Sequence, residues 1–160
     1  MENTRERQIS MTTDSDLINL YSTRILGLAA DIPHRTRLSS PDGTAKRRSP
    51  LCGSTVTVDL ALEDKRIVSF GLDVKACALG QACAAVVGHN IVGRSEAEVQ
   101  TGREQLFAML KSGGPTPMIP FDELEVLGPA SEYKNRHASI LLAFDATLDA
   151  FADARTSKFA

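Results

Sequence analysis

A chain of 160 residues, 42% hydrophobic and 24% charged, has enough apolar surface to bury one globular core and shows no division into two domains. A formal net charge of −2 excludes a general nucleic-acid binder, whose affinity would rest on a basic surface. No apolar run reaches membrane-spanning length and the charged opening Met1 to Gln8 lacks the apolar centre of a secretory signal, so a cytoplasmic protein with no membrane partner is expected, its three cysteines reduced thiols or metal ligands.

Met1 to Thr13 is polar and without apolar period, and reads as a disordered tail ahead of a single domain over 14–155. Met11 offers an alternative start. Leu17, Leu20, Tyr21, Ile25 and Leu28 recur at helical spacing, which predicts an amphipathic helix from about Asp16 to Ala30 with its apolar face on a sheet. From Asp31 to Ser49, Pro33, Pro41 and Asp42-Gly43 predict a loop. Its triplet Lys46-Arg47-Arg48 reads as solvated, with contact to an acidic partner as the sharper alternative.

Two strand-like runs follow. Val56, Val58, Leu60 and Leu62 alternate with Thr55, Thr57, Asp59 and Ala61, and Val68, Phe70, Leu72 and Val74 repeat the pattern beyond the charged break Glu63-Asp64-Lys65-Arg66. That period of two predicts an antiparallel hairpin. The run of small and apolar residues from Ala78 to Ile91 is too long for an average strand and predicts a helix beginning near Cys77 or Leu79. Gly93-Arg94 ends it, and Ser95 with Glu98 offers a capping box for another helix, lined by Val99, Leu106, Phe107 and Leu110 and stopped by Gly113-Gly114-Pro115. A short segment over Pro120–Leu127 precedes Gly128-Pro129. Ile140, Leu141, Phe144, Leu148 and Phe151 predict a terminal helix beginning near His137 or Ala138. The fold class is α+β, a small antiparallel sheet with helices packed on one face.

All three cysteines fall in one stretch. Cys52 enters the hairpin from a loop containing Gly53, and Cys77 leaves it at a helix N-terminus, so in a meander the two come to the same edge of the sheet. Unpaired amides and the dipole at a helix N-terminus favour a thiolate, the form that binds metals and transfers sulfur. Cys83 shares a helical face with Leu79, Val86, Val87 and Asn90 and reads as packing. His34 and His89 have no spacing that recruits them to the cysteines.

Leu51-Cys52-Gly53, the hairpin, Ala76-Cys77-Ala78 opening a small-residue helix with Gln81-Ala82, and Arg136-His137-Ala138-Ser139-Ile140-Leu141-Leu142 together resemble the U-type iron–sulfur cluster scaffold family, which includes IscU, SufU and the N-terminal domain of NifU. The likeness covers about Leu17 to Phe151, and the segment between the last two helices is closer to SufU than to IscU. The resemblance implies a scaffold rather than a catalyst. It would hold iron or a [2Fe–2S] cluster transiently, with zinc, or no metal at all, as alternatives. Its partners would be a cysteine desulfurase and apo iron–sulfur acceptor proteins. Carried over by position, Cys52 and Cys77 match two family cysteines and His137 the adjoining histidine. Ser54 stands where the family has an aspartate, and Ala138 where it has a further cysteine. Both changes weaken the ligand set, since a serine hydroxyl is a poor ligand near neutral pH and alanine is none. The same resemblance leaves two other readings open: a scaffold-derived binding protein without metal, and a SufU-like zinc-dependent sulfur acceptor.

Overall fold

The computed structural model describes residues 21–51 and 53–157. In chain order these form α1 (Thr23–Ala29), β1 (Gly43–Arg48), β2 (Thr55–Glu63), β3 (Arg66–Lys75), α2 (Ala78–Asn90), α3 (Glu96–Ser112), a run of 3-10 turns over Asp122–Glu132, a further 3-10 turn at Lys134–Arg136, and α4 (His137–Ser157). The expected tail over Met1 to Thr13, with the alternative start at Met11, and the first part of the expected opening helix lie outside the described residues. From Ser22 onward, whose hydroxyl accepts from Ile25 N, the predicted helix is present.

The sheet is antiparallel in the order β1-β2-β3. The hairpin is the predicted one, and its turn residues Asp64 and Lys65 both sit at positive φ, the backbone hand that suits the right-handed twist of two-residue hairpins. Val56, Val58 and Leu60 pair with Val74, Leu72 and Phe70 on the buried face. The alternation does not run the full length of β3, however. A register shift between Ala61 and Leu62 changes the parity, so that Ile67 is buried and Val68 exposed, against the expectation for Val68.

The third strand overturns the expectation of a loop as far as Ser49. β1 pairs along β2 from Gly43↔Leu60 to Arg48↔Thr55. Its sequence, Gly-Thr-Ala-Lys-Arg-Arg, has little apolar content, and the strand is made by its neighbours instead of by its own pattern. Gly43 lies where α4 crosses: a Cβ there would run into Ala150 O and come within 2.9 Å of Ala154 N. Thr44 N donates to Asp153 Oδ2 (2.9 Å) and Arg47 pairs with Asp149 (2.8 Å), tying the strand to that helix.

The buried face of the sheet is covered by α4 and α2, with α3 packed on the far side of α4. The core gathers Leu60, Ile67, Leu72, Leu79, Ile91, Leu106, Ile140 and Phe144, each fully buried and each worth roughly 1.5–3 kcal/mol of transfer free energy. α1 packs chiefly on α2, not on the sheet as its amphipathic pattern suggested, because the sheet face is already taken. α3 carries both halves of the predicted capping box and ends at Gly113 in the left-handed conformation. Phe107, expected inward, is half-exposed and lies beneath the Arg103 guanidinium at 5.0 Å. The segment after Pro120 is not cut at Gly128-Pro129 but continues as 3-10 turns through Pro129 to Glu132.

On the outer face, the loop ahead of β1 is fastened to the sheet by a charge. Asp59 is fully buried, accepting from Arg37 Nε (2.6 Å), Thr44 Oγ1 (2.7 Å) and Leu38 N (3.1 Å). Burial alone would raise its carboxyl pKa, but the Arg37 and Thr44 hydrogen bonds outweigh that and hold it below the usual carboxylate range.

Candidate functional site

The open end of the hairpin is where the sequence signals meet. Thr55 pairs with Lys75, so the strand that follows Ser54 and the strand that leads to Ala76 and Cys77 lie side by side. Gly53, at φ +69°, turns the chain into β2, and its N–H donates to Ser49 O (3.0 Å). Cys52 itself lies outside the described residues.

Cys77 is the N-cap of α2, in extended backbone, but its sulfur does not cap its own helix. It turns to α4, with Sγ 3.5 Å from Ser139 Oγ, and Ser139 Oγ in turn donates to Ser54 Oγ (3.0 Å). Both serines are buried and Cys77 is half-buried. The approach of the two helices depends on Gly80, where a Cβ would lie 3.1 Å from both the carbonyl and the hydroxyl oxygen of Ser139. Gln81 closes the turn by donating from Nε2 to Ala76 O (2.9 Å).

His137 opens α4 and is 3% exposed. Its Nε2 lies 3.0 Å from Ala130 O and 3.1 Å from Ser131 O, the carbonyls that end the 3-10 run. Both are acceptors only, so Nε2 carries a hydrogen, and in the neutral imidazole Nδ1 then carries the lone pair. Nδ1 is buried and has no hydrogen-bond partner among the described residues. An unpaired buried acceptor costs about 1–3 kcal/mol, and a nitrogen left free while the other ring N–H is held by a carbonyl is how metal-binding histidines are presented. At 100° per residue, His137 and Ser139 leave the helix about 200° apart, and the exposed Ala138 lies between their directions.

The described residues therefore bring Ser54, Cys77 and Ser139 into contact, with His137 and Ala138 on the same turn of α4. Among them, no three His, Cys, Asp or Glu side chains form a group that could hold a metal ion. Ser54 contributes a hydroxyl and Ala138 a methyl, and neither is an anionic donor. Cys83 is fully buried in the core, and its surroundings push the thiol far above its ordinary pKa, which keeps it protonated and unreactive. His89 is engaged with Asp31, and His34 stands edge-on to Phe70. Sequence reasoning assigned Ser139 no role. The available signal was its place on the first turn of the terminal helix, opposite a small-residue helix that lets it approach.

No family model matches the chain, and no curated protein matches it. Among solved structures it is similar to a nitrogen-fixing NifU-like protein (N-terminal) from Brucella abortus, at 39% identity over 88% of this chain and 98% of that one, with a TM-score of 0.85. It also shares its fold with a SufU protein from Fervidobacterium islandicum, at 18% identity over 84% and 98% of the two chains and a TM-score of 0.73. That second protein is named as an iron–sulfur cluster assembly scaffold for the SUF system. No helix among the described residues is long and apolar enough to cross a membrane.

Proposed function

The chain belongs to the U-type scaffold family, that of the NifU-like N-terminal domains, and from that premise we propose that it is an iron–sulfur cluster assembly scaffold with a weakened cargo site. Its cargo is iron or a [2Fe–2S] cluster held transiently by Cys52, Cys77 and His137, with sulfur received from a cysteine desulfurase and the product passed to apo iron–sulfur proteins. The observation that supports this most is the meeting of Cys77, at the head of α2, with the first turn of α4 beside Ser54. The fold spends its close helix crossing at Gly80 on that meeting, and a purely structural contact would not need a thiol there.

The donor chemistry fits the cargo in part. Cys77 offers a soft sulfur ligand and His137 a free Nδ1, while Ser54 and Ala138 supply no anionic donor. Three ligands where a stable site wants four give loose holding, which suits a carrier. A second reading is favoured by the same hydroxyl contacts: Cys77, Ser139 and Ser54 satisfy one another without a metal, as they would in a relative that keeps the partner surface and has given up the cargo.

Iron, zinc and acid-labile sulfide measured in protein purified without oxygen separate the readings. Iron with sulfide supports the scaffold, zinc alone supports the sulfur acceptor, and none of the three after reconstitution supports the metal-free relative.

A further inference from the structure

Cys77 is an N-cap residue whose side chain has an obvious local partner, the free amides of its own helix, and it does not use them. Its sulfur lies instead against Ser139 Oγ, on an element 62 residues away in sequence. Ser139 has little freedom to be elsewhere. It is 1% exposed, α2 presses on it at Gly80, and its hydroxyl donates to Ser54. A hydroxyl has one hydrogen, and that hydrogen is committed to Ser54, so toward the sulfur Ser139 presents a lone pair and the Cys77 S–H is the donor.

We infer that Ser139 is the positioning residue for the Cys77 thiol. It turns the sulfur away from its own helix end and holds it against the first turn of α4. The purpose of this rests on the cargo reading above, in which Cys77 is a ligand. Ser54 acts one step further back by fixing the direction in which the Ser139 hydroxyl points. Neither serine touches the cargo in this account; they hold the group that does.

The test is alkylation of the metal-free full chain by iodoacetamide, read at Cys77 and Cys83 separately by peptide mass. In Ser139→Ala the Cys77 rate rises by about two- to fivefold, the scale of a weak S–H···O bond, and Ser139→Thr returns it to the parent value. Ser54→Ala leaves both the lone pair and the hydrogen of Ser139 available to sulfur and produces a smaller rise. Cys83 stays unlabelled throughout, as a buried reporter of an intact fold. A Cys77 rate equal to the parent's in Ser139→Ala, with Cys83 still protected, overturns the inference. Should Ser139→Ala also expose Cys83, Ser54→Ala decides: a raised Cys77 rate supports the inference, and an unchanged one overturns it. The measurement is made without metal. A chain that never takes up iron, zinc or sulfide therefore sinks the cargo reading and leaves this result standing, whereas an insensitive Cys77 in a chain that does load metal sinks only the positioning role.

Discussion

The two ends of the β2–β3 hairpin are built on different chemistry. At the turn end, charge does the fastening: Arg66 reaches Glu98 (2.7 Å) and Gly93 O (2.8 Å), Arg94 reaches the same Glu98 (3.1 Å), and Ile67 N donates to Arg94 O (3.0 Å). The Arg66 hydrogen bond holds the Glu98 carboxyl down at about 2. At the open end the contacts that join Ser54, Cys77 and Ser139 run between hydroxyl and thiol groups. The difference teaches that the fold is secured by the core, the turn-end ion pairs and the Asp59 clamp, all away from the site. Residues 54 and 138 can therefore vary in ligand character without the scaffold fold being lost.

If stability resides away from the site, the largest losses should come from substitutions far from the cysteines. Gly43→Val should be the most damaging, by about 3 kcal/mol or more, because its side chain meets the backbone of α4, which cannot give way as a flexible side chain can. Urea unfolding followed by far-ultraviolet circular dichroism measures it, and a loss below 1 kcal/mol would mean that β1 and α4 are not locked together.

Asp59→Ala should follow, at about 2 kcal/mol at neutral pH, since Thr44 and Leu38 N lose a buried charged acceptor. The pH dependence carries the sign. A carboxyl whose folded pKa lies below its unfolded one contributes stability above the ordinary carboxylate range, and that contribution fades as pH falls toward the folded value. Melting temperature in the parent should drop on acidification below about pH 5, and Asp59→Ala should flatten part of that drop. Glu98→Gln should flatten a further part, extending down toward its folded pKa of about 2. An acid limb identical to the parent's in both variants would remove the clamp and the turn-end network as sources of stability.

Cys83→Ser should cost about 1–3 kcal/mol by burying a hydroxyl in the apolar core, while leaving metal content unchanged. Loss of metal uptake in a variant that still folds would make Cys83 a ligand and move the site into the core.

How much of this was legible in the sequence follows the same division. The hairpin, the capping box of α3 and the start of α4 at His137 were readable because each is a local pattern: a period of two, a Ser-x-x-Glu, an apolar helical repeat. β1 was not readable, since Lys46-Arg47-Arg48 looks like a solvated run and becomes a strand only when β2 and α4 are present to pair with it. The parity change at Val68 was hidden for a related reason, because a bulge belongs to a pair of strands and not to one. Phe107 looked like core by its spacing, and only the packed structure shows it turned out beneath Arg103. At the site, Cys77 at a helix N-cap was readable from the chain alone. That its sulfur turns from its own helix to Ser139 is a matter of two helices crossing at Gly80, which no local pattern encodes.

The central claim is that the backbone of a scaffold site persists while its ligand set has thinned, and the double variant Ser54→Asp with Ala138→Cys tests it most directly. Position 138 is exposed and lies between the directions of His137 and Ser139, and position 54 already contacts Ser139, so the two new anionic donors would join Cys77 with the ordering cost met by folding. Competitive zinc titration against a chromophoric chelator, on protein handled without oxygen, should show the double variant binding at least tenfold more tightly than the parent. Its melting temperature should also rise with added zinc by mass action on the folded state. Equal affinity of parent and double variant, whether both tight or both absent, would contradict the claim.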